Sequence, residues 1–251
     1  MEQKNIAIIF AGGVGQRLNS AENSVPKQFL KVFNKPIIIH TLELFQENEK
    51  IHKIYISIVE THLEYMKQLV EYYHLTKVVG ITTGGATGQE SIYKALKLAE
   101  KDNNPDDLVL IHDGVRPNIT QEVINLNIEN ARINGTSITS TPAFETILFS
   151  EDGLTPKSVP YRRHTFAAQA PQTFKLGALL EAHETERKTN PNYVDIVDSC
   201  TLFTKQGKKT SMIRGNFGNI KITTIEDLYV LRALITFKED THAFGLSKIG
   251  E

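Results

Sequence analysis

The stretch 11–30, AGGVGQRLNSAENSVPKQFL, decides the fold of this chain and its first candidate site. It follows a β-branched apolar run over 6–10 and begins with a turn that contains Gly12, Gly13 and Gly15. Because glycine lacks a Cβ, backbone N–H groups in such a turn can close around phosphate oxygens. We therefore expect a strand that ends in a phosphate-binding turn, as in α/β sheets whose ligands bind beyond the carboxyl ends of the strands.

Two cations accompany this turn. Arg17 follows the glycines directly, and Lys27 comes later, behind Pro26. Together they can neutralise a polyanion, so we expect the segment to hold a triphosphate and to stabilise charge during attack on phosphorus. A strand-to-helix turn with two solvated cations remains the alternative, since a glycine-rich turn alone is a weak signal.

The sequence of the turn excludes two better-known phosphate-binding loops. A P-loop requires G-x-x-x-x-G-K-[ST], and no Lys-Ser or Lys-Thr pair follows these glycines. A dinucleotide-binding fingerprint requires a further glycine three residues after Gly15, where this chain has Leu18.

Composition narrows the class of protein. The 251 residues, of which 40% are hydrophobic, suffice for one α/β domain, and a net charge of −1 gives no reason to expect nucleic acid or anionic lipid as a partner. Cys200 is the single cysteine, which excludes an internal disulfide and a C-x-x-C metal site. No apolar run approaches the ~18 residues of a membrane span, and no positively charged n-region of a signal peptide precedes an apolar stretch. We expect a soluble cytoplasmic protein with no membrane partner.

Apolar segments with strand-like and helix-like patterns alternate along the chain, which predicts a mainly parallel sheet covered on both faces. We expect 108–112 at the centre of the sheet, because it is a short apolar run. The other predicted strands are 6–10, 53–59, 77–82 and 209–213. The predicted helices are 36–45, 61–73 with a capping box at its start, 89–100, 121–133 between Thr120 and Gly135, 175–188, and one that begins at 224–227; no clear pattern follows Glu239.

The segment 137–168 differs in character from the rest of the chain. It is rich in Thr, Ser and Pro, and no helix fits it well. We interpret it as a β-arm that carries a subunit interface, attached to a single domain over 1–251.

Two further clusters follow predicted strands. Residues 84–88, GGATG, come after one strand and precede Ser91, so a flat base could press against the backbone while Ser91 reads its edge. An ordinary glycine turn that caps the next helix is the alternative.

Asp113 follows the apolar strand 108–112, where a charge is costly unless something offsets it. Mg²⁺ bound jointly with nucleotide phosphates would do so, and an Asp turn or an ion pair with Arg116 is the alternative. Lys221, just before a helix start, could meet a phosphate or be a solvated strand residue.

Taken in order, AGGVGQR…PKQFL, GGATGQES, HDGVRP and NIKITTIEDL resemble the cytidylyltransferases that make CDP-polyols. This family includes the methylerythritol 4-phosphate enzyme of isoprenoid synthesis and the ribitol 5-phosphate enzyme of teichoic acid or capsule synthesis. The resemblance covers about 11–228. It implies a Rossmann-like nucleotidyltransferase fold, with a mainly parallel mixed sheet flanked by helices and a protruding β-arm.

The resemblance also implies roles for individual residues. Arg17, Lys27 and Lys221 would hold the triphosphate of CTP and stabilise the pentavalent transition state. Asp113 would orient Mg²⁺ near the α-phosphate. The residues around the nucleotide would be Ala11, Gly12, Gly13, Gly15, Gly85 and Ser91.

The acceptor would be held by Asp113, Arg116, Thr146 and Arg162. In this family the last two reach into the neighbouring subunit's site, so the resemblance implies a homodimer. Many relatives have Arg where this chain has Gly88, so one cation at the base-binding turn is absent here.

The reaction implied is in-line attack of a polyol phosphate on the α-phosphorus of CTP, with release of pyrophosphate. The segments 160–164 and 137–142 look closer to the ribitol branch, so D-ribitol 5-phosphate is the favoured acceptor. The methylerythritol branch is the alternative. A non-catalytic nucleotide-binding protein is an alternative of another class.

Overall fold

A computed structural model describes residues 3–12 and 25–243. The strands in these ranges are β1 (Asn5–Ala11), β2 (Lys31–Val32), β3 (Lys35–Pro36), β4 (Lys53–Ile58), β5 (Val78–Thr83), β6 (Leu108–Asp113), β7 (Thr136–Pro142), β8 (Phe166–Lys175) and β9 (Met212–Arg214). The helices are α1 (Ile37–Glu47), α2 (Leu63–Tyr72), α3 (Gly88–Ala99), α4 (Gln121–Asn134), α5 (Leu176–Thr189), α6 (Ser199–Lys205) and α7 (Ile225–Ala243).

Within the described residues, seven strands form one sheet in the order β5-β4-β1-β6-β8-β7-β9. The strands β5, β4, β1 and β6 are parallel, β8 runs antiparallel to both its neighbours, and β9 is parallel to β7. Apolar residues of α1, α2 and α4 cover one face, and those of α3, α5 and α6 cover the other. The expected mainly parallel mixed sheet flanked by helices is confirmed, with a fully buried β6 at its centre.

The order of the strands locates the site. From β1 the chain moves outward to β4 and β5, and then returns to place β6 on the other side of β1. Ligands of open α/β sheets bind where the direction of winding reverses, beyond the carboxyl ends of the strands. In this fold that point lies between the ends of β1, at Ala11, and of β6, at Asp113.

Several local expectations need correction. The capping box at Thr61 is wrong: a 3₁₀ turn covers Glu60–His62, α2 begins at Leu63, and the Thr61 hydroxyl contacts the His62 ring instead. The last helix continues through Glu239 to Ala243. The expected strand 209–213 is shorter and shifted, at Met212–Arg214.

The expected arm is narrower than 137–168. Residues 137–142 belong to β7, which is buried in the main sheet and pairs with β8. Its polar composition is tolerated inside because the hydroxyl of Thr139 accepts from Asn127 Nδ2 at 2.8 Å and donates to the Pro171 carbonyl at 2.7 Å. The buried serines and threonines of 137–142 therefore belong to a strand of the main sheet and not to the arm.

The protruding part covers 143–165. It contains a bridge between Phe149 and Ser158 and a 3₁₀ turn at Arg162–His164. Its exposed apolar side chains include Phe144, Ile147, Leu148, Phe149, Leu154, Val159 and Tyr161. No helix in the described ranges is both long enough and apolar enough to cross a membrane.

Candidate active site

A cavity of about 180 Å³ lies at the point where the sheet reverses its winding. It is formed by the end of β1, the turn before α3, the end of β6 and the segment that precedes α7. Six residues singled out from the sequence line it together: Ala11, Gly12, Lys27, Gly85, Asp113 and Lys221.

Two glycine loops meet at this cavity. A Cβ on Gly12 would lie 2.4 Å from Ser91 Oγ and 3.2 Å from Gly84 Cα, and one on Gly84 would lie 2.8 Å from Gly12 Cα. The two backbones therefore pass each other at a distance that only glycine allows. This close approach shapes a wall of backbone groups.

Ser91 lies behind this wall. It is buried, its Oγ accepts from the Gly85 backbone N–H at 3.0 Å, and it donates to the Thr87 carbonyl at 2.9 Å. Both hydrogen bonds hold the glycine turn in shape, and Ser91 itself is not among the residues that line the cavity. Thr87 also caps α3 by accepting from Glu90 N, as the glycine-turn alternative anticipated.

Asp113 lies at the centre of a charged cluster. Its Oδ2 accepts from Arg116 Nε at 2.8 Å, and its Oδ1 lies 2.6 Å from Lys221 Nζ. Arg116 is fixed from its other side by a 2.8 Å bond to the Asn219 carbonyl. The anticipated Asp113–Arg116 ion pair is therefore present, and Lys221, whose side chain is partly exposed, pairs with the same carboxylate.

The two cations decide the charge of Asp113. Burial alone would raise the pKa of this carboxyl, but Lys221 and Arg116 outweigh burial and lower the pKa to about 2. Asp113 is therefore an anion throughout the physiological range. It holds Lys221 and Arg116 at the edge of the cavity.

His112, the residue before Asp113, is buried in the core. Its Nε2 lies 3.1 Å from the Arg116 carbonyl, and its ring packs 5.0 Å from that of Phe45. Burial lowers the pKa of this imidazole to about 4, so it is neutral at pH 7. Its place in the core gives it a packing role.

A second cavity of about 430 Å³ adjoins the first and shares Phe10, Gly88, Asp113 and Lys221 with it. Arg116 lines this second cavity, beside the cluster around Asp113. Ser199, the first residue of α6, also contributes. Five polar residues of this lining were not predicted from the sequence: Gln89, Gln169, Gln172, Asp198 and Ser199.

A short helix explains part of that omission. The seven residues of α6 are too few to show a helical period, and only the side-chain cap of Asp198 on Thr201 N, at 2.7 Å, marks its start. Gln89 carries no pattern of its own, since it simply follows the glycine turn. The cap residue was therefore the one available signal.

Gly88 lies between the two cavities. A Cβ here would meet only Phe10 Cε2, at 3.7 Å, which is an ordinary contact. The backbone does not require glycine at this position. Gly88 lines both cavities and places no side chain between them.

Other expected site residues lie elsewhere. Gly13, Gly15 and Arg17 fall outside the described residues. Thr146 and Arg162 are exposed on the arm and line neither cavity, and Arg162 Nη1 contacts the Phe144 carbonyl at 3.4 Å.

The fold is a Rossmann-like sheet, and its site combines a cradle of backbone groups with cations around a buried carboxylate, at the point where the strand order reverses. These features define the protein as a nucleotide-transferring enzyme. The sequence model of the IspD family, 2-C-methyl-D-erythritol 4-phosphate cytidylyltransferase, matches residues 5–236, and the chain belongs to this family of cytidylyltransferases.

Relatives in two branches resemble the chain. It is 42% identical over 242 residues, 96% of this chain and 99% of the relative, to the ribitol-5-phosphate cytidylyltransferase of Streptococcus agalactiae serotype V. It is 36% identical over 225 residues, 90% of this chain and 94% of the relative, to the 2-C-methyl-D-erythritol 4-phosphate cytidylyltransferase of Clostridium botulinum. The crystal structure of 4-diphosphocytidyl-2C-methyl-D-erythritol synthase from Anaerococcus prevotii matches with a TM-score of 0.78 at 26% identity, covering 93% of this chain and 96% of that one.

Proposed function

We propose that this chain transfers a cytidylyl group from CTP to D-ribitol 5-phosphate and releases CDP-ribitol and pyrophosphate. The single observation that carries the chemistry is the cluster of Lys221 and Arg116 on the Asp113 carboxylate, beside the glycine cavity. The higher identity to the ribitol-5-phosphate enzyme, 42% against 36%, supports the choice of acceptor.

In the proposed reaction, a phosphate oxygen of the acceptor attacks the α-phosphorus of CTP. A new P–O bond forms, and the bond from the α-phosphorus to the bridging oxygen breaks, so that the electron pair leaves on pyrophosphate. The nucleophile is already an anion, so no general base is required. Catalysis comes from alignment of the two phosphates and from neutralisation of charge at the transition state.

The cations take the charge in this scheme. Lys27 and Lys221 line the cavity, and we propose that Arg17 joins them. Lys221 has a side chain that is 41% exposed, so it can reach a phosphate while Asp113 keeps its ammonium group at the edge of the cavity. Ala11, Gly12 and Gly85 offer the backbone surface for the cytidine, with Gly13 and Gly15 as further parts of the same loop.

Asp113 fits the requirements of a Mg²⁺ ligand in this site. Mg²⁺ binds through one or two carboxylates together with substrate phosphates and water. Among the described residues, Asp113 is the one acidic side chain that lines the first cavity, and each of its oxygens has a second lone-pair position besides those used by Arg116 and Lys221. No group of three or more His, Cys, Asp or Glu side chains among the described residues offers a site made of protein alone. Bound there, the ion would supply further positive charge to the triphosphate.

The arm supplies the proposed subunit contact. Residues 143–165 expose a run of apolar side chains, and Thr146 and Arg162 line neither cavity of their own chain. We propose a homodimer of single-domain subunits, in which each arm brings these two residues to the acceptor phosphate of the other site. The proposed setting is the cytoplasm, where CTP is present, and the product would serve teichoic acid or capsule synthesis.

The methylerythritol branch is the second candidate, because the family description and the Anaerococcus structure carry that name. The assay that tests the proposal follows pyrophosphate release from CTP and Mg²⁺ with D-ribitol 5-phosphate. We expect release that requires the acceptor and is lost in Lys221→Ala. Tight binding of CTP without turnover would instead indicate a non-catalytic nucleotide-binding protein.

A further inference from the structure

Two buried oxygens in the wall of the larger cavity lack a hydrogen-bond partner. Gln89, the second residue of α3, is 3% exposed, and Ser199, the first residue of α6, is 1% exposed. Both residues line the cavity, and neither Gln89 Oε1 nor Ser199 Oγ is paired within the described part of the chain. Buried polar atoms in native proteins are nearly always paired, so these two require an explanation.

Their neighbours in the same wall are fully engaged. Gln172 Nε2 donates to Asp198 Oδ2 at 2.8 Å, and Gln172 Oε1 accepts from Cys200 N at 2.9 Å. Asp198 Oδ1 accepts from the backbone and the hydroxyl of Thr201, at 2.7 Å and 2.6 Å. This network fixes the start of α6 against β8, and so it fixes where Ser199 stands. The unpaired oxygen of Ser199 thus belongs to a part of the wall that hydrogen bonds hold in place.

The cavity has the chemical character of a site for an uncharged, hydroxyl-rich chain. Its lining mixes neutral polar groups with the apolar side chains of Phe10, Ile92 and Ile111. Four charged residues also line it. Asp113, Arg116 and Lys221 lie together at the side next to the glycine cavity, and the carboxylate of Asp198 is hydrogen-bonded within its own wall to Gln172 and Thr201. Its volume of about 430 Å³ is within the range of small-molecule sites. A phosphate would stay near the cations, and a hydroxylated carbon chain would extend along the opposite wall, where Gln89, Gln172 and Ser199 lie.

We propose that Gln89 and Ser199 are specificity-determining residues for the acceptor, with their side-chain oxygens bonding to hydroxyl groups of the polyol chain in this cavity. This inference rests on the proposed function, since it names part of the acceptor site for that reaction. Gln89 Oε1 accepts from a hydroxyl, and Ser199 Oγ can accept or donate. A site built to pair with hydroxyl groups disfavours an acceptor that lacks one, because its buried oxygens then stay unpaired.

The test uses Gln89→Met and Ser199→Ala in the full chain, with pyrophosphate release measured for D-ribitol 5-phosphate and for erythritol 4-phosphate, which is one hydroxylated carbon shorter. For each variant we expect the KM for ribitol 5-phosphate to rise about tenfold, which is the loss of one hydrogen bond. The KM for CTP should stay within about twofold. The preference for the longer acceptor in kcat/KM should shrink, which a merely structural role would not produce.

Ser137→Ala is the matched control. Ser137 is also a fully buried serine with an unpaired Oγ, but it lies in β7 and lines neither cavity. Its KM values and acceptor preference should match those of the unmodified chain. Melting temperatures verify folding, and Gln89→Asn or Ser199→Gly replaces a variant that does not fold.

The inference is wrong if the unmodified chain is active but either variant keeps the same KM for ribitol 5-phosphate and the same acceptor preference. The proposed function would then still stand. An unmodified chain that releases no pyrophosphate with ribitol 5-phosphate would overturn both. The two failures are therefore distinguishable.

Discussion

Lys221 Nζ lies 2.6 Å from Asp113 Oδ1, and this contact joins the segment before the last helix to the end of the central strand. The carboxylate is buried and carries a pKa of about 2 because Lys221 and Arg116 face it. The pair therefore holds an ammonium group where a triphosphate would need one.

Lys221→Met removes that ammonium group but keeps much of the side-chain length. We expect kcat for pyrophosphate release to fall by about 10²–10³, comparable with the loss of one preorganised donor. Lys205 offers a matched control, because its Nζ lies 2.7 Å from the buried carboxylate of Glu186 and its side chain is also half exposed. Lys205→Met should lower the melting temperature to a similar extent and leave kcat unchanged; equal loss of kcat in both variants would mean that Lys221 acts through stability alone.

Lys27→Ala tests the second lysine of the glycine cavity. We expect kcat to fall by about 10²–10³ with the fold intact, as judged by circular dichroism and melting temperature. Lys31→Ala is the control, since Lys31 is exposed nearby and lines neither cavity at the site. Unchanged turnover in Lys27→Ala would remove Lys27 from the mechanism.

Gly12→Ala tests the close approach of the two glycine loops. The added Cβ would come within 2.4 Å of Ser91 Oγ, so the loops must separate, and we expect CTP to bind at least about tenfold more weakly. Gly88→Ala adds the same methyl group at a position where the closest atom is 3.7 Å away. Calorimetric titration with CTP should show weak binding for the first variant and nearly unchanged binding for the second; equal affinities would contradict the proposed cradle.

Buried imidazoles predict the acid sensitivity of the fold. Burial lowers the pKa of His112 to about 4 and that of His183 to about 3, from an ordinary value of 6.5. The unfolded chain therefore binds more protons below pH 6.5, so the stability contributed by neutral histidines is complete above that pH and is lost as the pH falls towards 4. His183→Leu should reduce the slope of the unfolding free energy between pH 4 and 6 by about 1.4 kcal/mol per pH unit.

Denaturant titrations at a series of pH values measure that slope. His164→Gln is the control, because His164 is exposed on the arm. The slope of this variant should equal that of the unmodified chain. A slope unaffected by His183→Leu would show that this imidazole is not buried in its neutral form.

The proposed role of the arm predicts complementation between two inactive variants. Arg162→Ala removes a group from the arm, and Lys221→Ala removes one from the cavity. If each arm serves the other subunit, a mixed dimer contains one site in which both groups are intact. Mixing equal amounts after reversible dissociation should then restore activity to about a quarter of that of the unmodified enzyme, since half of the dimers are mixed. A mixture with no more activity than its components would place Arg162 in its own subunit's site.

Much of the fold could be predicted because its signals are local. Residues 6–10, 53–59 and 108–112 are mostly apolar runs, and each forms a parallel strand. Thr120 caps the start of α4 with its side chain, and Gly135 ends the helix in a left-handed conformation. The errors arose where tertiary contacts override composition. The polar residues 137–142 form a buried strand because Asn127 and the Pro171 carbonyl satisfy Thr139, and no local pattern reveals those partners.

The same distinction between local signals and tertiary contacts holds for the residues of the candidate site. Asp113 and Lys221 stand out in the sequence because each is a charge beside apolar residues, but their contact depends on the packing of the segment 219–224 against β6. Ser91 was correctly placed at the glycine turn, yet its hydroxyl faces the loop backbone instead of the cavity. Gln89 and Ser199 give no sequence signal, because they are distinguished only by the partners that they lack.

The choice of ribitol 5-phosphate as acceptor is tested by measuring kcat/KM for D-ribitol 5-phosphate and for 2-C-methyl-D-erythritol 4-phosphate, with CTP and Mg²⁺ saturating. We expect kcat/KM to be at least about a hundredfold higher for ribitol 5-phosphate, because buried hydrogen-bonding groups discriminate between the two acceptors. A higher kcat/KM for the methylerythritol substrate would contradict it and assign the same cluster of Asp113, Arg116 and Lys221 to isoprenoid synthesis.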